Sequence, residues 1–328
     1  MPLLVLVGPT AVGKSAVVAA LSGRRHLEVV VADSLQVYRG LDVGTAKPSA
    51  EERARIPHHL VDVVEPTEPF TAADFGARAR EAVADIAARR ALPVVVGGTG
   101  LYIRAFLRGP LAGPGGDPAL RSRLWAEARA TGPRELHARL AAVDPATAAS
   151  IHPHNLVRVL RALELYYLVG RPPSVFRRWA TDSLPPGVLL VGLRRGREDL
   201  ARRIEARVRT MLEAGLVEEV RGLLMRGVPR DAKPLGAIGY RQIVEHLEGR
   251  ITLQEAARRI ARDTRHYAKR QMIWFRREPG LMWMDLAPEG AGEEIAEAIL
   301  RRLEAWGSPM APSAGMAASP AACANGVR

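Results

Sequence analysis

The residues best suited to chemistry are the eight at positions 8–15, GPTAVGKS, which directly follow the apolar run of residues 3–7. They fit G-x-x-x-x-G-K-[ST], a loop whose backbone amides cradle phosphate oxygens at the start of a helix. In such a loop Lys14 adds a positive charge and the Ser15 hydroxyl can bind Mg²⁺. The sequence therefore predicts a di- or triphosphate site with magnesium as a cofactor, and leaves the reaction open.

Asp33 is a second candidate, because it directly follows the apolar run of residues 28–32. Ligands of parallel sheets bind beside the carboxyl ends of the strands, and a carboxylate there can hold a metal or act as a general base. The alternative is that Asp33 only caps a turn. A third loop, GGTG at residues 97–100, follows the apolar residues 93–96 and offers backbone that a ligand can approach closely. We expect these loops to meet at one edge of a sheet.

Strands, glycine turns and helices alternate along the chain. This pattern predicts an α/β fold with a P-loop NTPase-like parallel sheet core flanked by helices and a small all-helical insertion domain. A Gly- and Pro-rich run at residues 109–117 marks a boundary. The expected segments are a first part of the core (1–113), a helical insertion (114–181), a second part of the core with basic C-terminal helices (182–305), and a disordered tail (306–328).

Residue periodicity and capping patterns predict the individual elements. Asp-Pro pairs at 117–118 and 144–145 predict helix starts, and Thr252 with Glu255 predicts a capping box opening a helix that reaches about residue 277. The segment 57–66 is expected to be extended. Buried strands are predicted at residues 2–7, 28–32, 93–96 and 188–193, and helices at residues 14–21, 71–90, 155–169 and 198–221.

Composition bounds the class of protein. A chain of 328 residues with 48% hydrophobic residues can bury a sizeable core, and no apolar run approaches the ~20 residues of a membrane span. The first residues lack a basic leader, and the one cysteine, Cys323, lies in the terminal tail, so the chain has neither a disulfide framework nor a cysteine metal cluster. We expect a soluble cytoplasmic protein with no membrane partner and take a monomer as the default.

The net charge of +12 lies mostly outside the phosphate loop, since residues 114–328 carry +10 of it. Such an excess favours a polyanionic partner such as nucleic acid. The alternative is a biased genome composition, which explains why Arg is used in place of Lys. It explains less well why Lys and Arg together outnumber Asp and Glu. On the predicted C-terminal helix, basic side chains share one face opposite Ile260, Tyr267 and Trp274, as a contact with nucleic-acid phosphates requires. These side chains are Arg258, Arg262, Arg265, Lys269 and Arg276.

Eight blocks of the sequence closely resemble the tRNA dimethylallyltransferase family, the bacterial isopentenyl transferases of adenosine 37. They occur in the family's order over residues 3–285, whereas the tail has no counterpart and the zinc-finger extension of eukaryotic relatives is missing. The blocks are GPTAVGKS, DSLQVYRGLDVGTAKP, PHHLVDVVEP, VVVGGTGLYIRA, IHPHNLVRVLRALE, RIEARVRTMLEAGLVEEV, GAIGYRQ and TRHYAKRQMIWFRR.

This resemblance implies transfer of the dimethylallyl group from dimethylallyl diphosphate to N6 of adenosine 37 in the anticodon stem-loop of tRNA. It implies that Asp33 is the general base, that Thr10 is its close partner, and that Ser15 binds Mg²⁺. The residues it implies for the diphosphate are Gly8, Pro9, Thr10, Ala11, Val12, Gly13, Lys14, Ser15 and Arg207.

The resemblance also implies contacts with tRNA from several segments. One departure is Ala237, where some relatives have cysteine; because it falls in a tRNA-contacting turn, we expect its backbone to matter more than its side chain. The implied tRNA-binding residues are Asp33, Ser34, Leu35, Gln36, Thr99, Arg121, Val157, Arg158, Val159, Leu160, Arg161, Ala237, Ile238, Gly239, Tyr240, Arg241 and Gln242.

These residue types suit the implied chemistry. The leaving diphosphate gains negative charge, which the loop amides, Lys14 and Arg207 would stabilise. The N6 amine is a poor nucleophile, so a carboxylate that takes its proton assists the attack, and the adenine must leave its stack to reach a buried donor.

Three other functions remain open. A kinase or NTPase would use Asp33 for magnesium or for activating a hydroxyl, and would turn over ATP without RNA. A prenyltransferase of free adenine nucleotides would have no use for the basic helices. A non-catalytic RNA-binding protein is disfavoured by the presence of Lys14, Ser15 and Asp33 together.

Overall fold

The computed structural model describes residues 2–181, 183–287 and 291–307. Within these residues six strands form one sheet in which every pairing is parallel. The strands are β1 (Leu3–Val7), β2 (Leu27–Ala32), β3 (His58–His59), β4 (Leu92–Gly97), β5 (Val188–Arg194) and β6 (Met282–Asp285). Their order across the sheet is β3-β2-β4-β1-β5-β6. The predicted α/β class with a parallel sheet core is confirmed.

Helices cover both faces of this sheet and form the insertion between β4 and β5. They are α1 (Lys14–Ser22), α2 (Ala50–Arg55), α3 (Ala72–Ala88), α4 (Gly100–Arg108), α5 (Pro118–Thr131), α6 (Pro133–Val143), α7 (Pro145–Ala149), α8 (Leu156–Val169), α9 (Pro173–Phe176), α10 (Arg197–Glu213), α11 (Leu216–Met225), α12 (Tyr240–Leu247), α13 (Leu253–Phe275) and α14 (Ala291–Gly307). A short 3-10 turn, Lys233–Gly236, precedes α12.

The core strands are almost wholly apolar because both faces of the sheet are buried. Along β1, Val5 and Val7 point into one cluster, which includes residues of α3, α4 and α10 to α13. Leu4 and Leu6 point to the other side, where α1 and α14 complete a second cluster. A third cluster lies within α5 to α8 and gives the insertion a core of its own. The side chains of Asp117 and Asp144 cap the helices that follow them, as their Asp-Pro pairs predict.

Several predicted elements are wrong in detail. The single helix over residues 198–221 is two helices, α10 and α11, because Gly215 between them takes a left-handed conformation with φ of 95°. Only His58–His59 of the extended segment 57–66 pairs as a strand, since Leu60 and Asp62 have positive φ and turn the chain away. The capping box at α13 is half formed: Thr252 caps the Glu255 amide, while the Glu255 carboxylate pairs with Arg259 instead.

The far end of the chain adds two elements that periodicity does not predict, β6 and α14. Beyond residue 307 the predicted disordered tail lies outside the described residues. Among the helices that the structure describes, none combines the length and the apolar character needed to cross a membrane.

The parallel pairing brings the loops that carry the candidate functional residues to one edge of the sheet. β4 lies between β1 and β2, so the phosphate loop after β1, Asp33 after β2 and the GGTG loop after β4 are neighbours. Ala32 and Gly97 pair at this edge. A Cβ on Gly97 would lie 2.1 Å from the Ala32 carbonyl oxygen, so the two strands approach closely only because Gly97 has no side chain.

Gly97→Ala should lower the free energy of unfolding by about 2 to 3 kcal/mol, since the added methyl group must push apart two central strands. The measurement is urea unfolding followed by circular dichroism. Gly222→Ala in α11 is the matched control: its Cβ would meet nothing closer than 3.5 Å, and alanine favours a helix by about 1 kcal/mol. Equal effects of the two substitutions would contradict this account of Gly97.

Candidate active site

The phosphate loop is held in a strained, well-supported conformation. Gly8 and Gly13 have φ of 152° and 112°, and Ala11 lies in the left-handed region at 62°. A Cβ on Gly8 would lie 2.8 Å from the Leu193 carbonyl oxygen. Strain at a non-glycine residue persists where the surroundings over-determine it, as they do at functional sites.

Two arginines from the region around the start of α10 fix the peptide groups of this loop. Arg195 donates from Nε to the Val12 carbonyl at 2.7 Å, and Arg203 donates from Nε to the Ala11 carbonyl at 2.9 Å. Arg195 is nearly buried and also pairs with Asp199 at 2.9 Å. The loop conformation is thus set by side chains far along the sequence.

Lys14 folds back over its own loop. Its Nζ donates to the Gly8 and Pro9 carbonyls, both at 2.9 Å. Burial and, to a smaller extent, the nearby Arg207 together lower the pKa of Lys14 to about 8. The negative charge of Asp33 opposes this shift. Two partly buried cations therefore lie close enough to repel each other, which makes the site favourable for an anion.

Asp33 both caps a turn and lines the site. Its Oδ1 accepts hydrogen bonds from the Leu35 amide at 2.8 Å and, more weakly, the Gln36 amide at 3.4 Å. In the part of the chain that the structure describes, Oδ2 accepts none, so it is available to a substrate. The Ser34 amide donates to Thr99 Oγ1 at 3.1 Å, which ties the Asp33 turn to the GGTG loop.

Arg207 enters the site from α10. Its Nη2 donates to the Thr45 carbonyl at 3.0 Å, an oxygen that also accepts from Gln36 Nε2 at 3.2 Å. Burial lowers the pKa of the Arg207 guanidinium and Asp33 opposes the shift. Arg207 lies close enough to Lys14 to lower its pKa, and the contact of Arg207 with a diphosphate stays a prediction.

Gln271 of α13 joins two of the loops, a role that residue type and spacing do not predict. Its Oε1 accepts from the Thr10 amide and its Nε2 donates to the Gly98 carbonyl, both at 2.9 Å. A Cβ on Gly98 would lie 2.2 Å from that Nε2, so the bridge requires glycine there. The only sequence signal was that Gln271 falls within the block TRHYAKRQMIWFRR.

A cavity of about 430 Å³ brings Thr10, Asp33 and Arg207 together. Thr10, Asp33, Thr45 and Arg207 supply polar atoms to its lining, and Tyr267 adds a hydroxyl whose pKa is raised to about 12 by burial and by Asp33. Its apolar lining includes Ile204, Val208, Met211, Ile238 and Ile260. The cavity therefore suits a ligand with an anionic part and a hydrophobic part, beside a carboxylate that can accept a proton.

Comparison with known proteins agrees with this reading. A family model described as IPP transferase matches residues 36–278, and one described as isopentenyl transferase matches residues 1–62. The chain belongs to the IPP transferase family. Among curated members, the tRNA dimethylallyltransferase of Geobacter metallireducens is 52% identical over 286 residues, covering 86% of this chain and 92% of its own length. That of Anaeromyxobacter dehalogenans is 50% identical over 304 residues, covering 92% and 100%.

Solved structures of family members share the fold. The full-length tRNA isopentenylpyrophosphate transferase of Bacillus halodurans is 40% identical, with a TM-score of 0.68 over 93% of this chain and 98% of its own. A eukaryotic dimethylallyltransferase acting on tRNA is 27% identical, with a TM-score of 0.75 over 92% of this chain and 77% of its own.

Ten of the residues that the family resemblance assigns to tRNA fall into two groups. Asp33, Ser34, Leu35 and the turn of residues 237–239 line the cavity. The side chains of Val159, Leu160, Tyr240 and Gln242 are buried, so in this structure they pack and support their surroundings and offer no surface to a partner. The Gln242 amide, for example, bonds Asp263 and the Gly239 backbone.

In the insertion, two of the predicted arginines are bound to an internal acid. Glu164 is fully buried and accepts hydrogen bonds from Arg121 at 3.0 Å and Arg161 at 2.7 Å. Arg158 and Val157, by contrast, are exposed on α8. Much of the charge of Arg121 and Arg161 is thus used to hold the insertion together.

The basic face of α13 is also partly neutralised. Arg258, Arg262 and Arg265 pair with Glu255, Asp263 and Glu205 at 2.7, 3.0 and 2.8 Å. Lys269 and Arg276 are exposed and have no acidic partner among the residues described. The face retains positive charge, but less than a count of its basic residues indicates.

The residues around Ser15 fit a magnesium ion that is shared with a substrate. Ser15 is exposed in the first turn of α1, directly after Lys14. Mg²⁺ prefers oxygen ligands and keeps several waters, so one hydroxyl together with phosphate oxygens is an ordinary donor set for it. Within the described chain, no group of three or more His, Cys, Asp or Glu side chains is arranged to hold a metal ion.

Affinity for a diphosphate should fall as the pH rises above about 8. The pKa of Lys14 is about 8 in the ligand-free protein, and an anion favours the protonated amine, so its pKa rises on binding. The Kd should therefore increase by about tenfold per pH unit above that value, up to the pKa of the complex.

Isothermal titration calorimetry with inorganic diphosphate at several pH values measures this dependence. Lys14→Arg is the control, because arginine stays charged throughout. The wild-type Kd should rise relative to that of the variant. If the two plots of Kd against pH are parallel, the whole pH dependence comes from ionisation of the diphosphate, which would contradict the role of Lys14.

Proposed function

We propose that this protein transfers the dimethylallyl group of dimethylallyl diphosphate to N6 of adenosine 37 in tRNA, beside the anticodon. The bond between C1 of the donor and its diphosphate oxygen breaks, the bond between N6 and C1 forms, and the N6 proton passes to Asp33. The observation that carries the proposal is the single cavity in which Asp33 and Arg207 adjoin both apolar walls and the phosphate loop residue Thr10.

The cationic side of the cavity fits the leaving diphosphate. Arg207 lines the cavity, and Lys14 lies close enough to Arg207 to have its pKa lowered by it. Both side chains are partly buried, and in the described chain each is bonded to backbone carbonyls instead of carboxylates. Preorganised charges in a buried site stabilise a developing negative charge without reorganising during the reaction. Ser15 with the phosphate oxygens would hold Mg²⁺, which when bound neutralises further charge on the diphosphate.

Asp33 fits the role of general base. Its Oδ1 is fixed by the amides of Leu35 and Gln36, which orient the carboxylate and leave Oδ2 for the substrate. Thr10 lines the same cavity and fits the role of its close partner at the reacting amine. Ile204, Val208 and Met211 lie at successive turns of α10 around Arg207, so apolar surface for the prenyl group begins next to the diphosphate side.

The surroundings of the cavity fit an RNA partner. The turn of residues 237–239 lines it, and Lys269 and Arg276 add positive charge along the exposed face of α13. Arg158 adds an exposed charge on the insertion. Phosphate contacts of this kind position a nucleic acid, while the cavity selects the base that enters it.

Label from dimethylallyl diphosphate should appear in an anticodon stem-loop that carries A37, and not in one that carries G37, because guanine has no exocyclic N6 amine. The assay contains magnesium and no ATP, with purified full-length protein. Absence of label together with ATP hydrolysis in the absence of RNA would replace the proposal with a kinase or NTPase. Label in free adenosine monophosphate but not in RNA would replace it with a nucleotide prenyltransferase.

Asp33→Asn should lower the single-turnover rate of transfer by about 10² to 10⁴-fold. Asparagine keeps an oxygen that can accept from the Leu35 amide, so the turn is retained and only the base is lost. Binding of the stem-loop, measured by fluorescence anisotropy, should change by less than about twofold. A near-normal rate in this variant would exclude Asp33 as the general base.

A further inference from the structure

Glu219 of α11 holds a turn that lies next to the cavity. Its Oε2 accepts hydrogen bonds from the backbone amides of Asp42 at 2.8 Å and Val43 at 2.7 Å. Its Oε1 accepts from the Gly44 amide at 3.1 Å and from the Tyr240 hydroxyl at 2.7 Å. Three successive backbone N–H groups that converge on one carboxylate form an anion-binding nest.

This carboxylate is not part of an ion pair. Across residues 2–181, 183–287 and 291–307, no Lys, Arg or His lies within salt-bridge distance of Glu219. Four hydrogen-bond donors stabilise its charge, and charge-assisted hydrogen bonds of this kind are about twice as strong as neutral ones. Its evident role is therefore to fix the backbone of residues 42–44.

The surroundings of the turn are built around this contact. A Cβ on Gly44 would lie 2.6 Å from Cζ of Tyr240, so only glycine lets Tyr240 reach Glu219. On the other side of the turn, Thr45 Oγ1 donates to the Leu41 carbonyl at 2.7 Å. The nearly buried Lys47 ammonium pairs with Asp42 at 2.6 Å. Several contacts thus fix the turn, and Glu219 is the residue that accepts hydrogen bonds from its backbone amides.

The carbonyl that orients Arg207 follows the nest directly. Gly44 donates to Glu219, and Thr45, the next residue, accepts from Arg207 Nη2 at 3.0 Å. No carboxylate in the described chain is hydrogen-bonded to Arg207, so the direction of its guanidinium depends on where this carbonyl lies. A shift of the turn would move the guanidinium relative to Lys14.

We infer that Glu219 is a positioning residue for the diphosphate of the donor, acting through residues 42–45 on Arg207. The inference rests on the proposed function, because that function identifies the anion as the diphosphate of the donor. Glu219 lies outside the lining of the cavity and does not touch the reacting atoms. We expect its main effect to be on the affinity for the anionic part of the substrate. Its link to the turn of residues 237–239 runs only through the Tyr240 hydroxyl among the described residues, so we expect a much smaller effect on tRNA binding.

Glu219→Gln tests this inference with a minimal change of shape. Both carboxylate oxygens accept hydrogen bonds from backbone amides. Whichever of the two positions the glutamine NH₂ group takes, it therefore faces at least one backbone N–H, and that hydrogen bond is lost. We expect the Kd for inorganic diphosphate and the KM for dimethylallyl diphosphate to rise by about tenfold, which corresponds to one hydrogen bond in a buried site. The kcat should fall as well, because Arg207 stabilises the charge that develops on the leaving diphosphate. The Kd for the stem-loop should stay within about twofold.

Glu218→Gln is the matched control, because it makes the same chemical change at the neighbouring residue. Glu218 is exposed, and Arg221, at 3.6 Å, is its one salt-bridge partner among the described residues. Its diphosphate Kd should match that of the wild type. If Glu219→Gln leaves the diphosphate Kd unchanged, or weakens tRNA binding equally, the inference is overturned.

A double-mutant cycle with Arg207→Lys separates positioning from a general loss of structure. Lysine cannot reproduce the guanidinium fork, so in that background the position of the Thr45 carbonyl matters less. Glu219→Gln should then raise the diphosphate Kd by no more than about twofold. A full tenfold rise in the Arg207→Lys background would mean that Glu219 acts on the fold and not through Arg207.

These outcomes are separate from those that test the transfer reaction. Binding of inorganic diphosphate is measured without RNA or turnover. If the wild type fails to prenylate the stem-loop but the cycle shows coupling, the proposed function falls and the positioning role stands. If transfer is seen and coupling is absent, the reverse holds.

Discussion

The structure depends on keeping two partly buried cations close together without a bonded carboxylate. An anionic substrate requires that Lys14 and Arg207 remain uncompensated, and backbone carbonyls of residues 8, 9 and 45 hold them instead. Peptide groups can orient a cation without neutralising it, but only if the peptide itself cannot move. Most of the polar contacts around the site serve that requirement: Arg195 and Arg203 fix the phosphate loop, and Glu219 fixes the turn before residue 45.

Such an arrangement costs stability in the ligand-free protein, as the lowered pKa of Lys14 shows. The two apolar clusters on either side of the sheet offset that cost. A bound anion stabilises the folded state further, because it binds a site that the unfolded chain lacks. The same logic explains why Asp33 shares its charge with two amides: a carboxylate that bonded Lys14 or Arg207 directly would compete with the substrate.

The sequence predicts the sheet, the phosphate loop and the position of Asp33, because each depends on local pattern: apolar runs, glycine spacing and the residue at a strand end. It does not predict contacts made over long separations. Gln271 lies 261 residues from Thr10, and nothing in its type indicates that it bridges two loops. A count of basic residues likewise does not show that Glu164 is buried beneath Arg121 and Arg161. The sequence does not predict the break at Gly215, because an apolar stripe continues across it.

The packing of α14 against α1 has a consequence for how the protein is made. α1 begins in the phosphate loop, near the start of the chain, yet its apolar side is covered by Ile295, Ala296 and Ile299, near the end of the described residues. During synthesis the first helix emerges long before its partner does. The ribosome must therefore release almost the whole chain before α14 can pack against α1. A nascent or truncated chain thus lacks part of the apolar packing around the helix that follows its phosphate loop.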